Sequence, residues 1–553
     1  MRLTWDFDNS LRNHDGTDIE PSHRKIKKQI AEGHEVSIVT RRHEDDIHSG
    51  FDGDDVEKYV KEKIGNIPVH FDDSELKYKT LDEMGVHVHY DDDPKEIEAL
   101  KKHTNIKGIL VTDGKGVDTK KTEVQTQVET QVKTQSKTFD KDKKYGDKIA
   151  IVYDFGTFIS VAHRLAQDFG KVYYFTPWVS GFPYVKDTSI GSGFPDFERI
   201  DNFWDYADEA DLIYFPEVSC GDVQKKLVAL GKNVWGSRGA EILEMKRMFW
   251  IEKLKELGLE TPETREFNNL EELIKILKEE EDLYVKLDDM FRGEFETFHH
   301  VTWSTTRGLI EKVRYHMGAL AERLSGIIQK PIKSKLEFGF DIWFTGGKFP
   351  SVLPIGYEIK DLGYVCKIDK WENMPSGVLA IMEKIAPLLQ SYGYRGSFSA
   401  EIRHGDDGKW YFTDPCLRNA NPASFILMDM CDNFSEIVYE GSQGKTVPPI
   451  WNSKYGVEVT INSEFLLQNY GELNYPKELG KKINRMNAYC DSKGCVWNVP
   501  DGVKDSFGSV IEKGNDIDDM LKAIRSSMDK IKGYKVEINP TQLEEAAVAL
   551  KKN

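Results

Sequence analysis

Short apolar runs alternate with amphipathic segments through most of this chain. In the first hundred residues the apolar runs predict strands, and the segments between them predict helices. The predicted strands are residues 3–5, 35–39, 67–71 and 86–90, and the predicted helices are residues 21–32, 56–64 and 77–84. Strands that alternate with helices predict a parallel sheet, in which functional residues collect at the carboxyl ends of the strands.

The same alternation returns at Lys148 and predicts a second α/β unit. The predicted strands are residues 148–153, 172–175, 211–215 and 233–236, and the predicted helices are residues 160–169 and 221–230. The turn after the first of these strands lacks the glycine pattern of a dinucleotide site. One helix over residues 239–257 is predicted next, followed by strands at residues 283–287, 326–332 and 337–344.

The stretch from Phe398 to Arg418 predicts a β-hairpin. Its turn, residues 404–408, reads His-Gly-Asp-Asp-Gly, and Asp-Gly favours a tight turn between two strands. A hairpin here brings Glu401 and Asp414 opposite each other on one sheet face. Two such carboxylates repel unless a cation lies between them, and their oxygens suit Mg²⁺. A solvated acidic hairpin is the alternative interpretation.

The composition changes abruptly between residues 114 and 147. Residues 119–138 are almost entirely Lys, Thr, Gln, Glu and Val, with no aromatic residue. Such a segment buries little apolar surface, so a flexible linker is predicted. A short helix carrying Val124, Val128 and Val132 on one stripe is the alternative, which the β-branched residues disfavour.

Length and charge narrow the class of protein. The chain has 553 residues, too many for one core, and a formal net charge of −18, which argues against nucleic-acid or anionic-membrane binding through bulk charge. Six scattered cysteines form no C-x-x-C pair, so neither a zinc site nor a disulfide framework is expected. The first residues are no signal peptide and no apolar run could span a bilayer, so a cytoplasmic protein with no membrane partner is predicted.

Acidic, hydroxyl and basic residues occur at the predicted strand ends of the first hundred residues. They are Asp6, Asp8, Thr40, Lys77, Asp91 and Asp92. A D-x-D-x-[ST] motif, a strand-end Thr, a Lys and a terminal Asp pair in this order resemble the haloacid-dehalogenase (HAD) superfamily of phosphatases, over roughly residues 1–112. The resemblance implies a small Rossmannoid fold and a phosphorylated small molecule as substrate.

The HAD resemblance also implies a role for each residue. Asp6 would be the nucleophile, Asp8 the general acid and base, and Thr40 and Lys77 the ligands of the phosphate. Mg²⁺ would bind between Asp6, Asp8 and the pair Asp91 and Asp92. A carboxylate attacks phosphorus only when a metal and a lysine neutralise the charge that develops.

The larger region carries a second ordered set of charged and polar residues. It consists of Gly236-Ser237 through Lys246, Val285-Lys286, Gln329-Lys330-Pro331-Ile332 with Glu337, and Glu401, Asp414 and Arg418. This order resembles the ATP-grasp superfamily and, within it, the glycinamide ribonucleotide synthetases (phosphoribosylamine–glycine ligases), over about residues 148–535. The resemblance implies ATP and Mg²⁺ as cofactors, and a carboxylate and an amine as small-molecule substrates.

In the roles implied by that resemblance, basic residues surround the ATP phosphates and carboxylates hold the metal. Lys246, Lys286 and Arg292 would contact phosphates, Gln329, Lys330 and Ile332 would bind adenine, Glu337 would bind ribose, Glu401 and Asp414 would hold Mg²⁺, and Arg418 would steady an acylphosphate. The chain departs from the family at Asp414, where Glu is usual, and at Cys416, where Asn is usual. A glycine-rich signature is also missing near Asp154, which leaves substrates other than phosphoribosylamine open.

Together these patterns predict an α/β multidomain protein. The predicted parts are a HAD-like domain (1–113), a linker (114–147), a pre-ATP-grasp domain (148–238), an ATP-grasp α+β domain (239–450) and a closing domain (451–553). The favoured function is an ATP-dependent carboxylate–amine ligase fused to a Mg²⁺-dependent phosphatase. The alternatives are a ligase with a degenerate, non-catalytic HAD docking domain, and a non-catalytic scaffold that keeps both folds. The oligomeric state is left open.

Overall fold

The chain divides into two units, residues 1–137 and 138–553, in the computed structural model. This division falls within the linker that the composition predicts. The structure describes residues 2–12, 18–31, 33–40, 53–72, 76–104, 106–112, 115–116, 142–177, 188–289, 296–333, 337–359, 362–500, 502 and 505–552. No helix of these residues is both long and apolar enough to cross a bilayer. Most of the predicted linker lies outside the described residues.

A six-stranded sheet forms the centre of the smaller unit. Its strands are β1 (Arg2–Trp5), β2 (Glu35–Thr40), β3 (Val69–Phe71), β4 (Val88–Asp91), β5 (Lys107–Thr112) and β6 (Lys115–Gly116), in the order β3-β2-β1-β4-β5-β6. The first five pair in parallel and β6 is antiparallel to β5. The helices are Glu20–Ala31, Gly53–Lys63, Tyr78–Glu83 and Pro94–His103. The predicted parallel α/β architecture is confirmed.

The order of the strands brings candidate functional residues together at the carboxyl end of β1. Strands β2 and β4 flank β1, so the residues that follow all three strands meet at one edge. Trp5, Phe7 and Ile38 are fully buried around that edge. Asp93 caps the helix after β4, because its side chain accepts a hydrogen bond from the Lys95 N–H at 2.9 Å.

A five-stranded parallel sheet opens the larger unit. Its strands are β7 (Tyr145–Tyr153), β8 (Phe169–Phe175), β9 (Glu198–Arg199), β10 (Leu212–Tyr214) and β11 (Val234–Trp235), in the order β11-β10-β7-β8-β9. The accompanying helices are Ile159–Ala166, Trp204–Ala207 and Gly221–Ala229. This confirms the second predicted α/β unit.

A four-stranded antiparallel sheet follows. It contains β12 (Thr264–Phe267), β13 (Leu283–Leu287), β14 (Thr297–His300) and β15 (Gly326–Gln329), in the order β12-β15-β13-β14. The helices Leu270–Glu279 and Trp303–Met317 pack on it through a separate apolar core. The segment Gly318–Arg323 is a 3₁₀ helix.

The rest of the larger unit is built on an eight-stranded sheet and a small three-stranded sheet. The strands are β16 (Glu337–Phe344), β17 (Val352–Ile359), β18 (Gly363–Lys370), β19 (Gly396–His404), β20 (Trp410–Cys416), β21 (Tyr455–Asn462), β22 (Gly471–Glu472), β23 (Ile483–Arg485), β24 (Ala488–Cys490), β25 (Val496–Asn498) and β26 (Ser506–Gly514). The orders are β20-β19-β16-β17-β18-β21-β26-β23 and β22-β25-β24. The helices are Ser376–Ser391, Ser424–Met430, Phe434–Ser442, Ile517–Met528 and Thr541–Lys552, with 3₁₀ turns at Trp371–Asn373, Glu464–Leu467 and Lys477–Lys482.

The predicted hairpin is present as β19 and β20. Glu401 lies directly opposite Asp414, and the register shifts immediately after Glu401. The local turn chemistry and the alternation of the strands were therefore sufficient to predict this pairing.

The single helix predicted over residues 239–257 is wrong. Two helices, Ile242–Met245 and Arg247–Glu256, are separated at Lys246, whose backbone is extended (φ −109°, ψ 93°). The Arg247 N–H donates to Asp288 Oδ1 at 2.9 Å. A carboxylate from a distant segment therefore caps the second helix, which no local pattern could indicate.

Candidate functional sites

A buried lysine links two carboxylates at the strand ends of the smaller unit. The ammonium group of Lys77 donates to Asp6, which follows β1, and to Asp91 Oδ2 at 2.8 Å, at the end of β4. Lys77 is only 3% exposed. Burial opposes its charge, but the two carboxylates outweigh burial and raise the pKa of Lys77 above its ordinary value. Lys77 is therefore a fixed positive charge at this edge.

The two carboxylates have pKa values shifted in opposite directions. Burial raises the pKa of Asp6 to about 8, against the opposing charge of Lys77. Burial also acts on Asp91, but the hydrogen bond from His89 and the charge of Lys77 hold the pKa of Asp91 well below its usual range. Unequal carboxylates of this kind are common where one group reacts and another stays ionised.

Three carboxylates at this edge could hold a metal ion. Oxygens of Asp6, Asp91 and Asp92 lie within 4.8 Å of one another. Asp91 Oδ1 also accepts from the Asp93 N–H at 2.8 Å, whereas Asp92 is half-buried. Hard oxygen donors in a group of three fit Mg²⁺. Asp8 is partly buried and lies outside this group of three.

Thr40 completes the predicted set in the smaller unit. It is fully buried at the end of β2, the strand that pairs with β1, and its carbonyl accepts from the Asp72 N–H at 2.8 Å. The structure therefore brings the predicted strand-end residues to one edge of the sheet.

Sequence reasoning missed two buried partners of this cluster. His89 Nε2 lies 3.0 Å from Asp91 Oδ2, and its Nδ1 lies 2.8 Å from Thr4 Oγ1. Glu96 Oε2 accepts from the Lys77 N–H at 3.0 Å. Burial lowers the pKa of His89, which favours the neutral imidazole. The position of His89 two residues before Asp91, on the same strand face, was an available signal.

Two buried cations converge on Asp414 in the larger unit. Lys286, in β13, donates from Nζ to Asp414 and to the Thr413 carbonyl at 3.2 Å. Arg247 donates from Nη1 to Asp414 Oδ1 at 3.2 Å and from Nη2 to Glu296 Oε1 at 3.3 Å. Glu401 lies opposite Asp414, so positive and negative side chains are closely spaced around Asp414.

The positions of these cations depend on separate elements. Lys286 comes from the four-stranded sheet and Asp414 from the eight-stranded sheet, while Arg247 is the first residue of a helix. Burial opposes the charge of Arg247, but Asp414 and Glu296 raise its pKa. Arg247 thus remains charged although only 5% of it is exposed.

Arg418 is fixed by a second acidic pair. Its Nε donates to Glu244 Oε1 at 2.8 Å, and its Nη2 lies 3.7 Å from Glu296. The other oxygen of Glu244 accepts from the Leu417 N–H at 2.6 Å. Burial opposes the charge of Arg418, yet its acidic neighbours raise its pKa well above the ordinary value.

Cys416 stands beside this pair. Burial raises the pKa of its thiol well above the ordinary value, against the nearby positive charge of Arg418. A protonated thiol is a poor ligand for a hard cation. Cys416 therefore cannot replace an oxygen ligand, and the binding of Mg²⁺ by Glu401 and Asp414 stays a prediction.

The remaining predicted nucleotide residues that the structure describes have other partners. Lys246 pairs with Asp289, and Gln329 Nε2 donates to Thr264 Oγ1 at 3.1 Å. Lys330 pairs with Glu263 at 2.8 Å. Ile332 is partly buried. Glu337 is the first residue of β16, but its side chain is not among the parts that the structure describes, and Arg292 lies outside the described residues.

Sequence reasoning missed Arg247, Glu244 and Glu296. Arg247 directly follows Lys246, so a basic pair was visible, but the prediction of one continuous helix gave no reason to prefer the second residue. Glu244 and Glu296 contact residues more than a hundred positions away, as with the bond from Arg418 to Glu244 over 174 positions. No local pattern could identify such contacts.

No family profile matches the chain, and no curated protein matches it. Solved structures do match. Phosphoribosylamine–glycine ligase from Thermotoga maritima superposes with a TM-score of 0.51 and 17% identity, over 70% of this chain and 98% of its own. The biotin carboxylase domain of 2-oxoglutarate carboxylase from Hydrogenobacter thermophilus, solved with MgADP and bicarbonate, gives 0.50 and 13%, over 70% and 91%. Biotin carboxylase from Campylobacter jejuni, in a β-γ-ATP complex, gives 0.50 and 13%, over 70% and 92%.

The match shows that this chain shares the fold of these ligase and carboxylase structures. Because the smaller unit spans only residues 1–137, a match over 70% of the chain lies mostly in the larger unit. The predicted resemblance of the larger unit to phosphoribosylamine–glycine ligase is therefore confirmed at the level of the fold. The HAD-like fold of the smaller unit and the division into five parts stay predictions.

Proposed function

We propose that the larger unit is an ATP-dependent carboxylate–amine ligase that uses Mg²⁺. The observation that carries this proposal is the convergence of buried Lys286 and Arg247 on Asp414, opposite Glu401. Buried cations beside paired carboxylates suit the binding of a metal-bound polyphosphate. The fold gives further support, because neighbours with this fold were solved with MgADP and in a β-γ-ATP complex.

The proposed reaction has two transfers. An oxygen of the substrate carboxylate attacks the γ-phosphorus of ATP, the bond to the β-phosphate oxygen breaks, and ADP leaves. The amine nitrogen then attacks the carbonyl carbon of the acylphosphate, so that an amide forms and inorganic phosphate and a proton are released. Lys286, Lys246, Arg292 and Arg247 stabilise phosphate charge, and Arg418 steadies the acylphosphate.

The remaining proposed roles concern nucleotide binding. Gln329, Lys330 and Ile332 bind adenine and Glu337 binds the ribose hydroxyls. Glu401 and Asp414 would hold Mg²⁺, which neutralises phosphate charge when bound.

A binding and turnover assay tests the ligase proposal. The full chain is mixed with MgATP and a panel of carboxylates and amines, and ADP release is followed. Lys286→Met and Glu401→Gln should each weaken binding of an ATP analogue about tenfold or more, since each removes a charged contact. Lys348→Met, at an exposed turn, is the matched control. Unchanged nucleotide binding in both site variants would contradict the proposal.

We also propose phosphatase activity for the smaller unit, carried by the position of Lys77 between Asp6 and Asp91. In this proposal Asp6 attacks the phosphorus of a phosphorylated small molecule while Asp8 protonates the leaving oxygen. Water then cleaves the aspartyl phosphate, and Asp8 accepts its proton. Thr40 and Lys77 bind phosphate oxygens, and Mg²⁺ would be held by Asp6, Asp8 and the Asp91–Asp92 pair.

Hydrolysis of p-nitrophenyl phosphate tests the second proposal. Asp6→Asn should abolish Mg²⁺-dependent hydrolysis because it removes the nucleophile. Asp82→Asn, on the exposed side of the helix Tyr78–Glu83, is the matched control. A folded wild-type protein with no hydrolysis would instead favour a docking role for this unit.

A further inference from the structure

A closed ring of hydrogen bonds joins β1 to β4 in the smaller unit. Thr4 lies directly opposite His89 in the paired strands, and Thr4 Oγ1 is 2.8 Å from His89 Nδ1. The other ring nitrogen of His89, Nε2, is 3.0 Å from Asp91 Oδ2. The ammonium group of Lys77 donates to Asp91 at 2.8 Å and also to Asp6. The backbone of the first strand, between Thr4 and Asp6, completes the ring.

His89 belongs to the buried part of this ring. His89 and Asp91 are two residues apart on β4, so their side chains lie on the same face of the sheet. The residue between them, Tyr90, stacks on Trp5 with ring centroids 4.0 Å apart, on the opposite face. The side chains of Thr4 and His89 are fully buried. The imidazole is therefore shielded from solvent, and it acts on the site through Asp91.

The two partners of His89 determine which nitrogen carries the proton. An ionised carboxylate only accepts hydrogen bonds, so Nε2 of His89 donates to Asp91. In the neutral imidazole, Nδ1 then accepts from the hydroxyl group of Thr4, which can donate. One tautomer of His89 thus satisfies both contacts, and both ring nitrogens are used.

The two oxygens of Asp91 are unequal as a result. Oδ2 accepts from both Lys77 and His89, which occupy its two lone pairs. Among the described residues, Oδ1 accepts from the Asp93 N–H alone, at 2.8 Å, so one lone pair of Oδ1 remains. Oδ1 is therefore the oxygen of Asp91 that can bind Mg²⁺.

We propose that His89 is a positioning residue of this carboxylate site. By donating to Asp91 Oδ2, it prevents rotation of the carboxylate and keeps Oδ1 available to Mg²⁺. This inference rests on the proposed phosphatase function, which requires Mg²⁺ at Asp91. Without the imidazole, Oδ2 keeps only its bond from Lys77. Hydrogen-bond partners of metal ligands commonly contribute about tenfold to a hundredfold to metal affinity.

Titration calorimetry of the nucleotide-free full chain with Mg²⁺ tests this role. The binding event of the smaller unit is the one that Asp91→Asn removes. His89→Asn should weaken that event about tenfold to a hundredfold, because the shorter amide cannot reach Asp91. His89→Gln should recover most of the affinity, since its amide nitrogen can take the position of Nε2. His70→Gln, at an exposed position of β3, should have no effect.

Urea unfolding of the same samples separates positioning from folding. Both His89 variants lose the packing of the imidazole, so both should lower the stability of the smaller unit. A purely structural role predicts that the folded fraction of each variant binds Mg²⁺ with wild-type affinity, which would overturn the inference. Equal weakening by His89→Asn and His89→Gln would also overturn it. Thr4→Val removes the donor to Nδ1 at constant volume, and it should cause a smaller decrease in Mg²⁺ affinity.

Hydrolysis of p-nitrophenyl phosphate by these samples distinguishes the inference from the phosphatase proposal. A wild type that binds Mg²⁺ with the expected order of variants, but hydrolyses nothing, would refute the phosphatase and leave the role of His89 intact. Mg²⁺-dependent hydrolysis together with unaltered Mg²⁺ affinity in His89→Asn would refute the role of His89 and leave the phosphatase intact. If no Mg²⁺ binding of the wild type is sensitive to Asp91→Asn, the inference is overturned whatever the hydrolysis.

Discussion

Arg247 shows how one residue can connect the parts of the proposed nucleotide site. Its guanidinium reaches both Asp414 and Glu296, and its N–H donates to Asp288. We expect Arg247→Met to weaken binding of an ATP analogue with Mg²⁺ about tenfold to a hundredfold, because a charged partner of Asp414 is lost. Arg247→Lys should recover little, since an ammonium group cannot reproduce the two-sided contact. Titration calorimetry measures both variants.

Lys255→Met provides the comparison for Arg247. Lys255 lies on the exposed side of the same helix, so its replacement removes one positive charge without changing the buried cluster. Equal losses of nucleotide affinity in Lys255→Met and Arg247→Met would show that net charge, and not the contact with Asp414, is responsible.

The buried carboxyl group of Glu458 is expected to make the stability of the larger unit depend on pH. It is buried, and its carboxylate accepts from the Ile426 N–H at 3.1 Å and from Ser509 Oγ at 2.6 Å. Burial raises the pKa of Glu458 to about 7, well above its ordinary value. The folded state therefore favours the protonated form of Glu458. The resulting stabilisation is fully present below the pKa that Glu458 has in the unfolded chain, and it is lost as the pH rises through about 7.

Urea unfolding at acidic and mildly alkaline pH tests the role of Glu458. The free energy of unfolding of the larger unit, which contains Glu458, should fall by a few kcal/mol between about pH 5 and about pH 8 in the wild type. Glu458→Gln, which cannot ionise, should show a smaller fall. Parallel pH profiles of the two proteins would assign the dependence to other groups.

At the scale of elements, the break at Lys246 depends on Asp288. Asp288 Oδ1 accepts from the Arg247 N–H at 2.9 Å, and its Oδ2 accepts from Ser325 Oγ at 2.9 Å. We expect Asp288→Ala to lower the free energy of unfolding of the larger unit by about 1 kcal/mol, the usual effect of losing a helix cap. Asp288→Asn keeps an oxygen at the cap and should lose less. Denaturant unfolding followed by tryptophan fluorescence gives both values.

The same elements separate what the sequence could predict from what it could not. The hairpin was predictable because its Asp-Gly turn and the alternation of its strands act over about ten residues. The bond from Lys286 to Asp414 spans 128 positions, so only the resemblance to a family linked them. Arg247 was missed because the cap that starts its helix lies 41 residues away in the sequence. Local patterns therefore predicted the strands and the residues at their ends, whereas the site is formed by contacts between distant segments, which no local pattern shows.

At the scale of the whole molecule, each of the two units has apolar clusters of its own among the residues that the structure describes. The clusters of the smaller unit contain residues between Leu3 and Val111, and those of the larger unit contain residues between Tyr145 and Leu550. Burial of apolar surface is the main contribution to the stability of a folded protein, so each unit is stabilised by its own apolar clusters. The chain is therefore expected to unfold in two transitions, of which each belongs to one unit.

Calorimetry of the full chain and of a fragment covering residues 138–553 tests this expectation. The fragment should show one transition at the midpoint that the larger unit has in the full chain, and it should bind an ATP analogue with unchanged affinity. Lys77→Met leaves Asp6 and Asp91 buried without a cation. It should lower the free energy of unfolding of the smaller unit by about 3–5 kcal/mol and leave the transition of the larger unit unchanged. Lys79→Met, at an exposed position of the same helix, should lower neither. A shift of both transitions by Lys77→Met would mean that the two units are energetically coupled, and that the proposed activities belong to one cooperative structure.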